Sequence, residues 1–196
     1  MFLYATSSCR QLLSFYMLLL QRRDNFKCSQ DDTQLGSLFF TPLLFSRLLE
    51  GDWYCYDRVM NWVRADQDVF SKEKLFFPIH QPGHWGLLVV YVQRRTIKYY
   101  DSLGCDGGKY LCAARQWLRN EHLAKRGTKL NTSPWVLEDM GKNVPQQKGG
   151  YDCGVFAMLC ADYLSEDLPL AYRHTQIITH RENISELMLP PMDDVL

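Results

Sequence analysis

The sequence carries no excess of charge. Its 22 Lys plus Arg balance 22 Asp plus Glu, and no block of like charge marks a tail. That leaves no electrostatic footprint for a nucleic-acid partner, and none is expected. It also lacks ordered cysteine spacing. Cys9, Cys28, Cys55, Cys105, Cys112, Cys153 and Cys160 are odd in number and include no CxxC pair. This argues against a disulfide framework and against a zinc site, and suits a reducing compartment, cytosol or nucleus. Long apolar runs are missing too. Leu12–Leu20, broken by Ser14 and Tyr16, falls far short of the roughly 20 residues that span a bilayer. The basic pair Arg22-Arg23 follows this run instead of preceding it, and no small-residue cleavage site appears. The run therefore reads as a core helix, not a secretion signal, and no membrane partner is expected.

What remains is a 196-residue chain that is 46% hydrophobic, enough to bury one sizeable core. A single domain over residues 1–196 is expected. Gln11–Arg23 reads as a helix. Thr41-Pro42 has the chemistry of a helix start, and Gly51 stands where a terminating glycine belongs. Cys55–Val63 suggests a third helix or a turn. Strand signals follow in Leu75–Ile79, in the apolar run Trp85–Val92 and in Thr96–Tyr100, with Gln93-Arg94-Arg95 as a hairpin connection. Lys109–Lys125 has helical spacing, and Trp135–Leu137 suggests a further strand. Met140–Asp152 holds three glycines and a proline and reads as a loop before an apolar helix over Cys153–Leu164. Helices, then strands, then helices indicate an α+β fold.

One constellation suggests chemistry. Cys153 opens an apolar helix after a glycine-rich loop, where backbone N–H groups favour a thiolate. Asp152 takes the N-cap position, and Gly154 permits close approach of a substrate. Taken alone, Cys153 reads first as one more buried small residue, the usual fate of a free cysteine, as Cys160 does. His84 begins a strand after a Pro-Gly turn, and Asp101 closes the next strand. If the two strands pair, both residues come to the same end of the hairpin, the placement an imidazole-orienting carboxylate needs. Separately, His84 reads as a turn-capping residue and Asp101 as a turn residue with Ser102 and Gly104. Gln146 and Gln147 lie in the loop before Cys153, and a glutamine amide there can donate to an oxyanion.

Three segments in order resemble the sentrin/SUMO-specific protease family: Pro78-Ile79-His80-Gln81-Pro82-Gly83-His84-Trp85, Tyr99-Tyr100-Asp101-Ser102, and Val144-Pro145-Gln146-Gln147-Lys148-Gly149-Gly150-Tyr151-Asp152-Cys153-Gly154-Val155-Phe156. The resemblance runs from about Gln11 to Leu189. It implies a papain-like cysteine protease domain of the ubiquitin-like-protein protease type, with a central mixed sheet flanked by helices. It implies a monomer that uses no metal or cofactor and hydrolyses the bond after the Gly-Gly terminus of SUMO, in precursors and in lysine conjugates. By position, His84 would be the base, Asp101 its orienter, Cys153 the nucleophile and Gln147 the oxyanion donor. Trp85, with His80 nearby, would wall a tunnel that admits only a glycine tail, and Gly149 and Gly150 would line the substrate path. Alternatives are a NEDD8-directed protease, which Tyr151 suggests, or a weakly catalytic module that binds a ubiquitin-like modifier.

The first segment, residues 1–10, departs from the family pattern. The family places a Trp-Leu-Asn-Asp type motif before its Phe-Tyr pair, here Phe15-Tyr16, but this chain has Ser7-Ser8-Cys9-Arg10. A tunnel tryptophan would fall at Ser7 and an acidic modifier-binding residue at Arg10. A truncated or alternatively started form of a longer protein would account for this.

Overall fold

The structure is a computed structural model that describes residues 6–51 and 53–186, without the side chains of residues 6–8 and 185–186. The expectation at Ser7 therefore lies outside the described side chains. In chain order the elements are α1 (Thr6–Gln30), β1 (Leu38–Phe39), α2 (Leu43–Leu48), β2 (Leu49–Glu50), β3 (Trp53–Tyr54), β4 (Lys74–Gln81), β5 (His84–Tyr91), β6 (Thr96–Tyr100), α3 (Gly108–Arg126), β7 (Val136–Asp139), α4 (Cys153–Ser165) and α5 (Ile177–Glu186).

Five strands form a mixed sheet in the order β1-β4-β5-β6-β7. β4, β5 and β6 are antiparallel, while β1 runs parallel to β4 and β7 parallel to β6. Side chains alternate across a strand, and both faces of this sheet are covered. From β4 and β5, Leu75, Phe77, Ile79, Leu88 and Val90 join a core with α2 and α3. Phe76, Trp85, Leu87 and Val89 join a second core with α1 and α4. Two-sided burial explains the uninterrupted apolar run of β5, where every residue is buried. Full burial of each Leu, Val, Ile or Phe contributes about 1.5–3 kcal/mol.

α4 is buried from Cys153 through Ala161, because it lies between the sheet, α1 and α5. Its far end is anchored by charge. Asp162 accepts from the Tyr16 hydroxyl at 3.0 Å and pairs with Arg23 at 2.6 Å, while Glu166 meets Arg23 and Lys27. These contacts keep α1 helical to Gln30, beyond the expected end at Arg23. One local reading needs correction. Gly51, with φ +63, sits in the turn of the small β2–β3 hairpin instead of ending a helix. Of the helix or turn expected over residues 55–63, the structure has the turn, 3-10 in form at Tyr56–Arg58.

Candidate active site

The chemistry gathers where the β4–β5 hairpin turns. Pro82 and Gly83 make the turn, and Gly83 has φ +71, a conformation that suits a residue without a β-carbon. His84 is the first residue of β5. β6 pairs with β5 so that Tyr100 faces Leu87, and Asp101 follows directly. The expected meeting at the hairpin end occurs: His84 Nε2 lies 2.8 Å from Asp101 Oδ2.

Asp101 is 1% exposed and its carboxylate is saturated. Oδ2 also accepts from the Tyr99 hydroxyl at 2.9 Å, and Oδ1 accepts from the Leu103 N–H at 2.8 Å. Burial alone would raise this carboxyl, but the His84, Leu103 and Tyr99 hydrogen bonds together hold it below the usual carboxylate range. For His84, burial opposes the charged ring. Hydrogen bonds and charge from Asp101 and from the Cys153 thiol outweigh that effect and raise it to about 9. With Nε2 committed to Asp101, Nδ1 is the nitrogen left for the thiol.

Cys153 is the first residue of α4 and is 6% exposed. It therefore stands among the unpartnered N–H groups of a helix N-terminus, which favour negative charge. Asp152 occupies the N-cap position, but its side chain caps nothing. It is held by Arg181 of α5 instead, which corrects the capping expectation.

The two loop glutamines separate by their bonds. Gln146 spends its amide N–H groups on the carbonyls of Asp101 and Val144. Gln147 is 7% exposed; its Oε1 accepts from the Ser102 hydroxyl at 2.6 Å, and its Nε2 donates to the Gly149 carbonyl. One amide hydrogen of Gln147 is thus left over, and Ser102 fixes which way the amide points. Gly149 and Gly150 are exposed, and a β-carbon on either would meet nothing within 4 Å. Trp85 and His80 are cross-strand partners with ring centroids 4.5 Å apart. Trp85 is buried and faces Gly154, where a β-carbon would lie 3.8 Å from the indole Cδ1. Arg10 is half-buried, and burial together with its charge lowers His80 below the ordinary histidine value.

Four neighbours of the site escaped the sequence reading: Gln81, Tyr99, Ser102 and Cys105. Each acts through a partner that only strand register or loop path supplies. Cys105 brings its thiol within 4.8 Å of ligand atoms on His84 and Asp101. The two groups it approaches are already bonded to each other. All seven cysteines are free thiols.

Comparison with known proteins decides the family. The model of the Ulp1 protease family, C-terminal catalytic domain, matches residues 9–188. The chain belongs to this family. Sentrin-specific protease 2 of Homo sapiens is 33% identical over 175 residues, covering 89% of this chain and 28% of that protein. Ubiquitin-like-specific protease ESD4 of Arabidopsis thaliana is 27% identical over 165 residues, covering 83% and 33%. The chain thus spans about a third or less of these relatives. Among solved structures, the yeast Ulp1 protease domain in complex with the SUMO orthologue Smt3 superposes with a TM-score of 0.70 at 24% identity, covering 90% of this chain and 73% of that one. That likeness establishes the Ulp1-type α+β fold expected from the sequence. In this Ulp1-type domain no helix among the described residues is long and apolar enough to cross a membrane.

Proposed function

We propose that this chain is a thiol protease and isopeptidase acting after the C-terminal Gly-Gly of SUMO, with Cys153 as nucleophile, His84 as acid and base, Asp101 as the residue that orients His84, and Gln147 as oxyanion donor. One observation carries this reading: a buried imidazole held through Nε2 by a saturated carboxylate, with the thiol of a helix-opening cysteine on its other side. The relatives' names, sentrin-specific and ubiquitin-like-specific protease, support the substrate class.

The Cys153 thiolate attacks the carbonyl carbon of the terminal glycine. The negative charge moves to the carbonyl oxygen, which accepts from the remaining amide hydrogen of Gln147 and from the Cys153 N–H. The C–N bond breaks as the His84 imidazolium gives its proton to the departing amine, leaving a thioester. Neutral His84 then takes a proton from water, whose oxygen displaces Cys153 and frees the carboxylate of the modifier. Trp85 and His80 border the approach beside Gly154, and the open backbone at Gly149 and Gly150 lies along it. The crowding there favours a tail without side chains. Free thiols throughout suit the cytoplasm or nucleus.

The test is cleavage of SUMO fused through its Gly-Gly terminus to a reporter, beside the equivalent NEDD8 fusion. Cleavage of SUMO alone supports the reading. Cleavage of NEDD8 alone reassigns the substrate, and binding of SUMO without turnover makes the chain a recognition module.

A further inference from the structure

The hairpin tip that presents His84 ends in a closed ring of hydrogen bonds. Gln81 and His84 are cross-strand partners on either side of the Pro82-Gly83 turn. His84 reaches Asp101 Oδ2 at 2.8 Å. Gln81 donates from Nε2 to the Tyr99 hydroxyl oxygen at 2.6 Å. Tyr99 donates in turn to the same Asp101 Oδ2 at 2.9 Å. The directions are settled by chemistry: an amide nitrogen only donates, so the single hydrogen of Tyr99 is left for the carboxylate.

The hydroxyl has little freedom to leave. Tyr99 is 0% exposed and stacks on Tyr110 of α3. Its ring occupies the space beside two glycines. A β-carbon on Gly86 would stand 2.4 Å from the hydroxyl oxygen, and one on Gly107 would stand 2.0 Å from the ring. Placing this tyrosine against the carboxylate therefore depends on the absence of two side chains.

We propose that Tyr99, set by Gln81, is a positioning residue of the site: its hydroxyl shares Asp101 Oδ2 with His84, fixes the carboxylate and limits how tightly that carboxylate holds the imidazolium. An oxygen that accepts two hydrogen bonds offers each donor less charge than an oxygen that accepts one. Without the hydroxyl, Asp101 holds the protonated ring more strongly but is itself less firmly placed. Tyr99 lies behind the carboxylate and is fully buried.

Few other groups bear on this pair. Gln81 of β4 and Tyr99 of β6 are neutral. In the loop after β6, the Leu103 N–H bonds Asp101, and Cys105 is a neutral thiol whose ionisation is pushed up by burial and by Asp101. Among the described residues of α4, Cys153 is the group that bears on His84.

The effect on rate rests on the protease reading above, whereas the effect on titration does not. The experiment is an NMR titration of ring-labelled histidine in the full chain, with His84→Gln assigning the resonance. It compares the parent with Tyr99→Phe, Gln81→Ala and the double variant, and measures kcat and KM on the SUMO fusion in parallel. Tyr99→Phe should raise the His84 pKa by about half a unit to one unit. Gln81→Ala should raise it by less, and the double variant should match Tyr99→Phe, because Gln81 acts through the hydroxyl. kcat should fall several-fold with KM little changed. A merely structural tyrosine would lower thermal stability and leave the titration in place, and that result overturns the proposal. An additional shift from Gln81→Ala in the Tyr99→Phe background overturns it as well. Should Tyr99→Phe fail to fold, half-buried Gln81→Ala decides alone: an unmoved His84 titration rejects the clamp. A shifted titration in a chain that cleaves nothing would reject the protease reading and keep the clamp.

Discussion

Cys9 fills the space beside Gly154: its sulfur lies 2.9 Å from where a β-carbon on that glycine would stand. Gly154 follows Cys153 in α4, so α1 packs directly against the start of the helix that carries the thiol. The helical backbone at Gly154 accepts alanine, which has the better helix propensity by about 1 kcal/mol. Overpacking against Cys9 costs about 1–3 kcal/mol and wins. Gly154→Ala should therefore destabilise the fold and lower activity, and Cys9→Ala in the same chain should restore most of both. Chemical denaturation of the two single variants and the double one checks this; additive losses would mean that the sulfur is not what meets the new methyl.

His84→Ala should reduce turnover as severely as loss of Cys153, because the members of such a group act as a unit. Asp101→Ala should cost less, since the ring still finds its working orientation part of the time. Pre-steady-state cleavage of the SUMO fusion ranks the three variants. An Asp101 variant worse than the His84 variant would overturn the assigned roles.

The pH dependence follows from His84 standing at about 9 in the folded chain, above its ordinary value of 6.5. Stability from a raised histidine is full below pH 6.5 and is lost as pH rises through about 9. The stability difference between the parent and His84→Gln should therefore shrink between those values. Turnover should fall over the upper part of the same range as the imidazolium that protonates the leaving amine disappears. Urea denaturation and initial rates at a series of pH values measure the two effects; a stability difference that grows with pH contradicts the charge assignment.

The sheet and the meeting of His84 with Asp101 were legible in the sequence because their signals are local. β5 is apolar throughout since both its faces are covered, and β6 alternates as a strand should, so the placement of His84 and Asp101 followed from pairing the two. Long-range contacts hid the rest. Nothing near Arg23 announces that α1 continues, because Glu166 and Ser37 supply the partners of Arg23, Lys27 and Asp24. Gly51 fits a helix end and a hairpin turn equally well until β2 finds β3. Asp152 has cap chemistry, but Arg181 from α5 claims it. The ring from Gln81 through Tyr99 to Asp101 depends on strand register, which spacing in one strand does not reveal.

Glu121 of α3 is fully buried, with the Tyr56 hydroxyl as its neighbour. Burial raises its carboxyl to about 6. For a raised carboxyl the penalty appears as pH rises: stability is full below the ordinary value of 4.5 and is lost through about 6. Glu121→Gln should therefore stabilise the fold by about 1–2 kcal/mol at pH 8 and by less at pH 4. Thermal melts at both values check it; equal effects at both would show that charge is not the cause.

The central claim is that Cys153 is the nucleophile of a SUMO-directed hydrolase. A single-turnover assay with the chain in excess over a SUMO–reporter fusion tests it most directly, run on the parent chain and on Cys153→Ala, with binding of the fusion measured alongside. Reporter release and a transient thioester are expected with the parent, and binding without release with Cys153→Ala, because Cys153 is the thiol hydrogen-bonded to His84. Appreciable release by Cys153→Ala would remove Cys153 from the mechanism and contradict the account.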